Sequence, residues 1–515
     1  MFVDNVKISK MIGGAYKKLK SYYFYDKTIL FIKHKIAVFE SDRENFQFTL
    51  EKITNSLINQ DIEYFNDLMD TIDFRILPKK FKSTTNENDV ISNYIDRKKD
   101  IQKINFFIDV PVELYILDTL WLLLIGKIMT DQHLTSSFSF AGRFKKSLFV
   151  LDDESLFSGI DFDSNRCFEP YYNLYSKWRD SAFDKIKSKH SDTDTLLIGL
   201  DLKSFYYTVE FEFSNLKYLL NNDERYDSFS FLTNIIEELY LRYTNLLREF
   251  KPGISKKENA CIFPIGLLSP ILLRELYLKK FDLEITNKIK PSYYGRYVDD
   301  LLIVVNAKEM SEYRKQDFID HFLINTNIVS AHGKEYHFTL HSNLRLQAEK
   351  INCFFFGENQ KDIILEIYDE QIRVNSSEVN LLPDAGLLDE NFNSHAYHIG
   401  NLEKSNNIRE LGFMESNNFK ASLFINRLLR LLSNTVCCDQ KYEKYLNEII
   451  EFYSGSQSVE FSNVWRSIFE LFTICNDKIK ANKFYDEIKF STIALTFDKL
   501  YNVHACQDTK SEIFR

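Results

Sequence analysis

Two acids, Asp299 and Asp300, stand side by side in SYYGRYVDDLLIVV, between two apolar segments. Adjacent carboxylates repel each other, and a plain hairpin turn favours Asn-Gly or Asp-Gly. A divalent cation would remove the repulsion. For the tetrapeptide YVDD alone, an exposed acidic turn is the ordinary alternative. A third acid changes that balance. In TLLIGLDLKSFYYTV, Asp201 ends an apolar run and is followed by Lys203, Ser204 and paired aromatics, 98 residues before Asp299. That span allows a helical excursion and a return to a neighbouring strand, which would bring the three carboxylates together. Such a cluster can hold two Mg2+ ions about 4 Å apart, one activating an attacking hydroxyl and the other steadying a triphosphate and its leaving pyrophosphate.

The elements that must position these acids read as an α+β core. From residue 196 the chain shows short apolar runs broken by acids, as strands of a buried sheet do when they deliver polar residues at their ends. LLIGLD, YVDDLLIVV, INCFFF and KDIILEIY are the predicted strands. Helical stretches lie between them, including FSFLTNIIEELYLRYTNLLREF and SPILLRELYLKKFD, where Ser269 can cap and Pro270 can occupy the first turn. Residues 1–65 form a predicted helical extension with alternating basic and aromatic residues, among them Tyr16, Tyr22, Tyr23 and Tyr25. The basic stretch FRILPKKFK and the polar STTNEND lead into IDRKKDIQKINFFIDV, which ends strand-like. Within the last third, FKASLFINRLLRLLSNTV, QKYEKYLNEIIEFY and VEFSNVWRSIFELFTICN read as stacked helical hairpins. The predicted regions are therefore 1–65, a mixed core over 66–385 and a helical domain over 386–515.

With 515 residues, 44% hydrophobic and 15% aromatic, the chain can build substantial cores. The scarcity of Gly (15) and Pro (8) favours long helices and packed strands. The net charge of −9 argues against a uniformly basic nucleic-acid binder. It is compatible with carboxylates gathered around metal ions and basic residues kept in a channel. Seven cysteines without a CxxC pair point to a reduced, cytoplasmic protein without a zinc site. VPVELYILDTLWLLLIGKIM, the most hydrophobic stretch, carries Glu113 and Asp118 and reads as a buried helix, so no membrane partner is expected.

Taken together, these residues resemble the palm of reverse transcriptases over roughly 70–365. DLKSFYY resembles the family's first acidic motif, FPIGLLSPILLRELYL its second, and YVDD its catalytic hairpin, in the family's order. The resemblance implies fingers and a palm, an antiparallel sheet with helices, followed here by an all-α, helical-repeat-like C-terminal domain. By the same resemblance Asp201 and Asp299 would bind metal, with Asp300 supporting the site and the Leu202 carbonyl as a further ligand. Tyr206 would be the aromatic gate against a 2′-hydroxyl, with an ordinary core aromatic as the alternative. Phe263, Pro264, Ile265 and Gly266 match the turn beneath the incoming nucleotide, although many retroviral enzymes have Gln where this chain has Ile265. Lys350 matches a basic residue that can protonate pyrophosphate, or else is a solvated strand-entry lysine. Arg75, Lys79, Lys80, Arg97, Lys98 and Lys99 are candidate phosphate contacts in the fingers, and Arg143 of SFAGRF is a further one.

The region after the palm lacks RNase H, integrase and maturase signatures, so the chain is most similar to the bacterial antiphage reverse transcriptases of the abortive-infection and defence-associated group. That likeness implies dNTPs as substrates, a DNA product and two Mg2+ ions, with Mn2+ as a substitute. It also implies homo-oligomers, a non-coding RNA partner in some members, and template-independent synthesis primed from a tyrosine in others. Here the tyrosines could be Tyr16, Tyr22, Tyr23 and Tyr25, or Tyr442, Tyr445 and Tyr453. A retron or group II intron type enzyme copying RNA and a non-catalytic RNA-binding scaffold are the competing readings.

Overall fold

The computed structural model describes residues 5–26, 29–81, 100–150, 159–187, 194–308, 310–357, 392–399, 414–416, 418–433, 440–493 and 496–497. The predicted strand KDIILEIY and the basic group Arg97, Lys98 and Lys99 lie outside them. The chain divides into two compact units, one of residues 1–26, 32–74 and 107–369, the other of residues 27–31, 75–106 and 370–515. The segment read as a separate N-terminal extension thus falls almost wholly within the first unit, and its boundary at 65 marks no division there.

The first unit is built around an antiparallel sheet. Its N-terminal helices are α1 (Asn5–Tyr25), α2 (Leu30–Ser41), α3 (Arg43–Ile58) and α4 (Ile62–Met69); the strands that follow, β1 (Asp73–Phe81) and β2 (Asp100–Asp109), lie mostly in the second unit. Next come α5 (Val112–Asp131), α6 (Tyr171–Lys187) and β3 (Thr195–Asp201). The four-stranded sheet has the order β4-β5-β3-β9, with β4 at Tyr293–Tyr297, β5 at Asp300–Asn306 and β9 at Asn352–Phe356. Leu196, Leu197, Ile198 and Leu200 of β3 are all buried, because β3 is an interior strand covered on both faces; this is why it reads as a continuous apolar run. A second antiparallel sheet of Val329–His332, Glu335–Phe338 and Arg345–Gln347 follows β5. Its last strand accepts the Lys203 amide on the Arg345 carbonyl at 2.8 Å, which fixes the chain just beyond Asp201.

The hydrophobic stretch over 112–131 is indeed a buried helix, and no helix among the described residues is long and apolar enough to cross a membrane. Asp118, wholly buried in it, has a structural task that its setting in the sequence did not disclose. Its carboxylate accepts the amides of Leu268 at 2.7 Å and Ser269 at 3.1 Å, and also the Ser269 hydroxyl. It therefore anchors the two residues that lead into the helix over Pro270–Ile289. The expectation that Ser269 caps this helix is corrected: its hydroxyl is committed to Asp118 and to Tyr240, at 2.6 Å, and makes no cap bond. Pro270 does occupy the first turn.

In the second unit, helices at Asn418–Ser433, Gln440–Phe452, Trp465–Ile474 and Lys478–Ile493 pack around Ile425, Leu428, Ile449, Ile468 and Leu471. The apolar faces seen in the sequence form this core. The unit is not all-α as expected. Tyr397–Ile399 pairs antiparallel with Met414–Ser416, and Thr496–Phe497 pairs parallel with Asp100–Ile101 of β2. Strands of two or three residues are too short to leave a period-two pattern in a sequence.

Asp118→Ala should leave two buried amides without an acceptor and lower the unfolding free energy by about 3 kcal/mol. Equilibrium urea denaturation checks this. Asp118→Asn keeps an acceptor and should lose about half as much.

Candidate functional site

The pairing of β3 with β5 sets Asp201 directly opposite Asp300, at the end of a continuous register that starts with Thr195 opposite Asn306. On its other side β5 pairs with β4, where Tyr297 opposes Asp300. Val298 and Asp299 form the two-residue tip between them, and the Asp299 carbonyl accepts the Leu202 amide at 3.0 Å. All three predicted acids therefore meet at one end of the sheet. Val298 has φ +61°, a left-handed conformation costly for a β-branched side chain and normally given to glycine at this place in a hairpin. Its strain is held by the ladders on either side.

The Asp300 carboxyl is raised to about 6, first by burial and then by the charges of Asp299 and Asp201, against the lowering effect of Lys350. Lys350 itself is ion-paired with Asp201. Hard carboxylate and carbonyl oxygens suit Mg2+, and carboxylates that push one another toward protonation are what a divalent cation relieves. The residues present fit such a centre in their donor chemistry. Among the described residues no three His, Cys, Asp or Glu side chains converge tightly enough to enclose an ion as they stand. The Lys350 ammonium pairs with Asp201 and offsets part of the carboxylate charge.

Beneath the hairpin lies a network that sequence reasoning missed. Arg296, fully buried, donates Nε to Asp282 at 2.9 Å and Nη2 to Glu275 at 2.8 Å. Asp282 also accepts the hydroxyls of Tyr294 and Ser136, each at 2.7 Å, and Glu275 accepts Ser139 at 2.9 Å. The backbone of Arg296 bonds to Phe138 and Phe140 on either side of Ser139, so SFAGRF is stitched along β4. The signal available in the sequence was an arginine in an apolar strand three residues before the paired acids, together with acids facing inward on SPILLRELYLKKFD.

Tyr206 is half-buried on the short helix Phe205–Thr208, and its carbonyl accepts the Phe263 amide at 3.1 Å, which joins the first and second motifs. Its hydroxyl lies 3.4 Å from Arg274 Nη1. Pro264, Ile265 and Gly266 form a turn held from several sides. The Ile265 carbonyl accepts Ile108 at 2.8 Å, and the Gly266 carbonyl accepts the Tyr23 hydroxyl. Gly266, at φ +111°, needs to be glycine.

Two expectations change. Arg143 is turned back on its own loop, giving Nε to the Ser139 carbonyl at 2.6 Å and Nη2 to that of Ser137 at 3.0 Å, with its guanidinium over Phe140. It acts as a loop brace, since these carbonyls occupy donors that a phosphate would need. Tyr16 and Tyr23 are buried, and the Tyr23 hydroxyl is committed to Gly266, so neither offers a free phenol. Tyr25 is exposed, and Tyr22, about one-third exposed, lies within electrostatic reach of Tyr206, Arg274 and Tyr297. In the second unit, Tyr445 and Tyr453 are buried and Tyr442 is partly buried. Arg75 and Lys79 belong to that unit as well, on β1.

The raised Asp300 carboxyl has a stability consequence with a definite sign. Between about 4 and 6 the folded chain keeps a proton that the unfolded chain has released, so ionisation on raising the pH costs stability. Asp300→Asn should therefore melt above wild type at pH 8, by no more than about 1 kcal/mol given solvent screening, and the gap should close toward pH 4. Val298→Gly should gain about 1 kcal/mol in urea unfolding by releasing the left-handed strain.

No protein-family model matches this chain, and no curated protein matches it.

Proposed function

We propose that the chain is a DNA polymerase of the reverse-transcriptase type that adds deoxynucleotides in bacterial antiphage defence. The observation that carries this reading is the sheet register that sets Asp201 against Asp300, with Asp299 in the connecting tip and its carbonyl on Leu202. Two bound Mg2+ ions, or Mn2+ in their place, would activate a primer hydroxyl and neutralise the triphosphate. Asp201 and Asp299 would hold them with the Leu202 carbonyl, and Asp300 would support the pair. Lys350 would keep a proton next to Asp201 for the departing pyrophosphate. Tyr206 would pack against the deoxyribose, with Pro264, Ile265 and Gly266 forming the surface beneath the nucleotide. Because Ile265 supplies no polar side-chain contact there, templated fidelity is not a required property of the site, and synthesis guided by a non-coding RNA or lacking a template is consistent with it. For priming from the protein itself, Tyr25 is the most exposed tyrosine of the N-terminal group, while burial pushes the Tyr22 phenol well above its ordinary value. We place the enzyme in the cytoplasm as a homo-oligomer, with the helical domain following the palm in the chain.

Asp299→Ala combined with Asp300→Ala should reduce Mg2+-dependent incorporation of labelled dNTPs by at least a thousandfold while leaving a cooperative melting transition, since adjacent like charges are removed. Retained polymerisation would overturn the assignment. Tyr206→Val should raise ribonucleotide use relative to deoxyribonucleotide use by about tenfold or more, measured as a ratio of kcat/KM values. An unchanged ratio would make Tyr206 a core aromatic only.

A further inference from the structure

An open cavity of about 480 Å³ lies at the start of α6, lined by Lys145, Arg166, Phe168, Glu169 and Asn173 among others. Its size suits a single small ligand. Its walls are preformed: the Lys145 amide bonds to the Cys167 carbonyl and the Glu169 amide to the Arg143 carbonyl, each at 2.9 Å, with Phe144 and Phe168 bridged and their rings stacked at 5.2 Å. Neither Lys145 nor Arg166 has a carboxylate partner among the described residues. Arg166 is instead held over the ring of Tyr25, 5.2 Å from its centroid.

Behind the cavity lies a further cation. Lys18 has no exposure, and its ammonium is held by the carbonyl of Ser164 at 2.8 Å and its hydroxyl at 3.2 Å, not by an acid. Burial lowers its pKa first; Cys167 and Asp161 partly oppose that, and Lys145 and Lys17 add to it. The lining holds Lys145 and Arg166 against the single carboxylate of Glu169, an excess of positive charge that suits an anion. Phe168 in the lining supplies aromatic surface, and Tyr171, exposed on the first turn of α6, directly follows Pro170 of the lining. The Tyr171 carbonyl in turn accepts the Tyr297 hydroxyl at 3.4 Å, and Tyr297 opposes Asp300, so this end of α6 adjoins the acidic hairpin.

We propose that this cavity binds a nucleoside phosphate, with the phosphate on Lys145 and Arg166 and the base against Phe168 and Tyr171. Cation pairs recognise phosphate oxygens, Arg through a planar fork, and aromatic faces stack any base. The choice of a nucleoside phosphate over other anions rests on the reading of the carboxylates as a nucleotidyl-transfer centre. The ligand is either a free nucleotide or the phosphorylated end of a strand.

The test is calorimetric binding to the full-length protein in EDTA, so that divalent ions at the carboxylates contribute nothing. The probes are dTTP against thymidine, and a 5′-phosphorylated DNA tetranucleotide against its 5′-hydroxyl form. At least one phosphate-bearing probe should bind tenfold or more tighter than its unphosphorylated counterpart, and the Lys145→Ala/Arg166→Ala variant should abolish that preference. The Lys145→Arg/Arg166→Lys variant should retain most of it. Loss for dTTP identifies a free nucleotide and loss for the tetranucleotide a strand end. Both substituted side chains reach solvent, so the variants should melt as wild type does. Equal affinities for phosphorylated and unphosphorylated probes, or wild-type binding by the alanine variant, would overturn the proposal. A phosphate preference in a protein without polymerase activity would instead overturn the proposed function and leave this site standing.

Discussion

The antiparallel ladder between β3 and β5 is the constraint from which the rest of the site follows. A slip of one residue would send every side chain of β3 to the opposite face and carry Asp201 away from Asp300. The register is specified by burial, since Leu196, Ile198 and Leu200 on one strand and Leu301, Ile303 and Val305 on the other have no tolerable place in water. The hairpin tip is then confined: Tyr297 and Asp300 close the ladder, the Asp299 carbonyl takes the Leu202 amide, and Val298 absorbs the turn in a conformation it would not choose alone.

That precision has an electrostatic foundation on the far side of β4. Arg296 is taken entirely out of water and is tolerable there because Asp282 and Glu275 surround it with charge-assisted bonds. A pair of this kind adds little net stability, yet removing one member costs about 3–5 kcal/mol, because the other is left buried and unpaired. It therefore ties the orientation of the Pro270–Ile289 helix to that of the acidic hairpin. Asp118 fixes the start of the same helix. Beneath the hairpin the acids enclose a buried cation, while at its tip the carboxylates outnumber the ammonium of Lys350, and burial together with those charges raises Asp300. A chain of net charge −9 can thus keep local fields of both signs.

Much of the strand framework was legible in the sequence because buried interior strands show as apolar runs and their acids stand at the ends. LLIGLD and INCFFF are strands as expected, YVDDLLIVV is not one strand but breaks at the turn of Val298 and Asp299 and is a strand again from Asp300 onward, and the long helices at Ser230–Phe250 and Pro270–Ile289 follow their apolar spacing. What could not be read were partnerships between distant residues. Ser269 looked like a cap, and only the fold brings Asp118, 151 residues earlier, to engage its hydroxyl and amide instead. Arg143 looked free for phosphate until loop geometry supplied carbonyls from Ser137 and Ser139. The basic, aromatic character of the first helix suggested an extension, whereas Tyr23 reaches the turn at Gly266 and is part of its support. The residual acids at the hairpin were the most legible feature, because nothing in local propensity explains them.

If Asp201, Asp299 and Asp300 form the proposed two-metal centre, anomalous scattering from crystals grown with Mn2+ and a non-hydrolysable deoxynucleoside triphosphate will locate both ions. The result expected is two manganese peaks about 4 Å apart bounded by Asp201 and Asp299, with the Leu202 carbonyl turned to one of them and Lys350 released from Asp201 toward the phosphates. Full nucleotide density with no manganese at these carboxylates, and with Lys350 still paired to Asp201, would contradict the account.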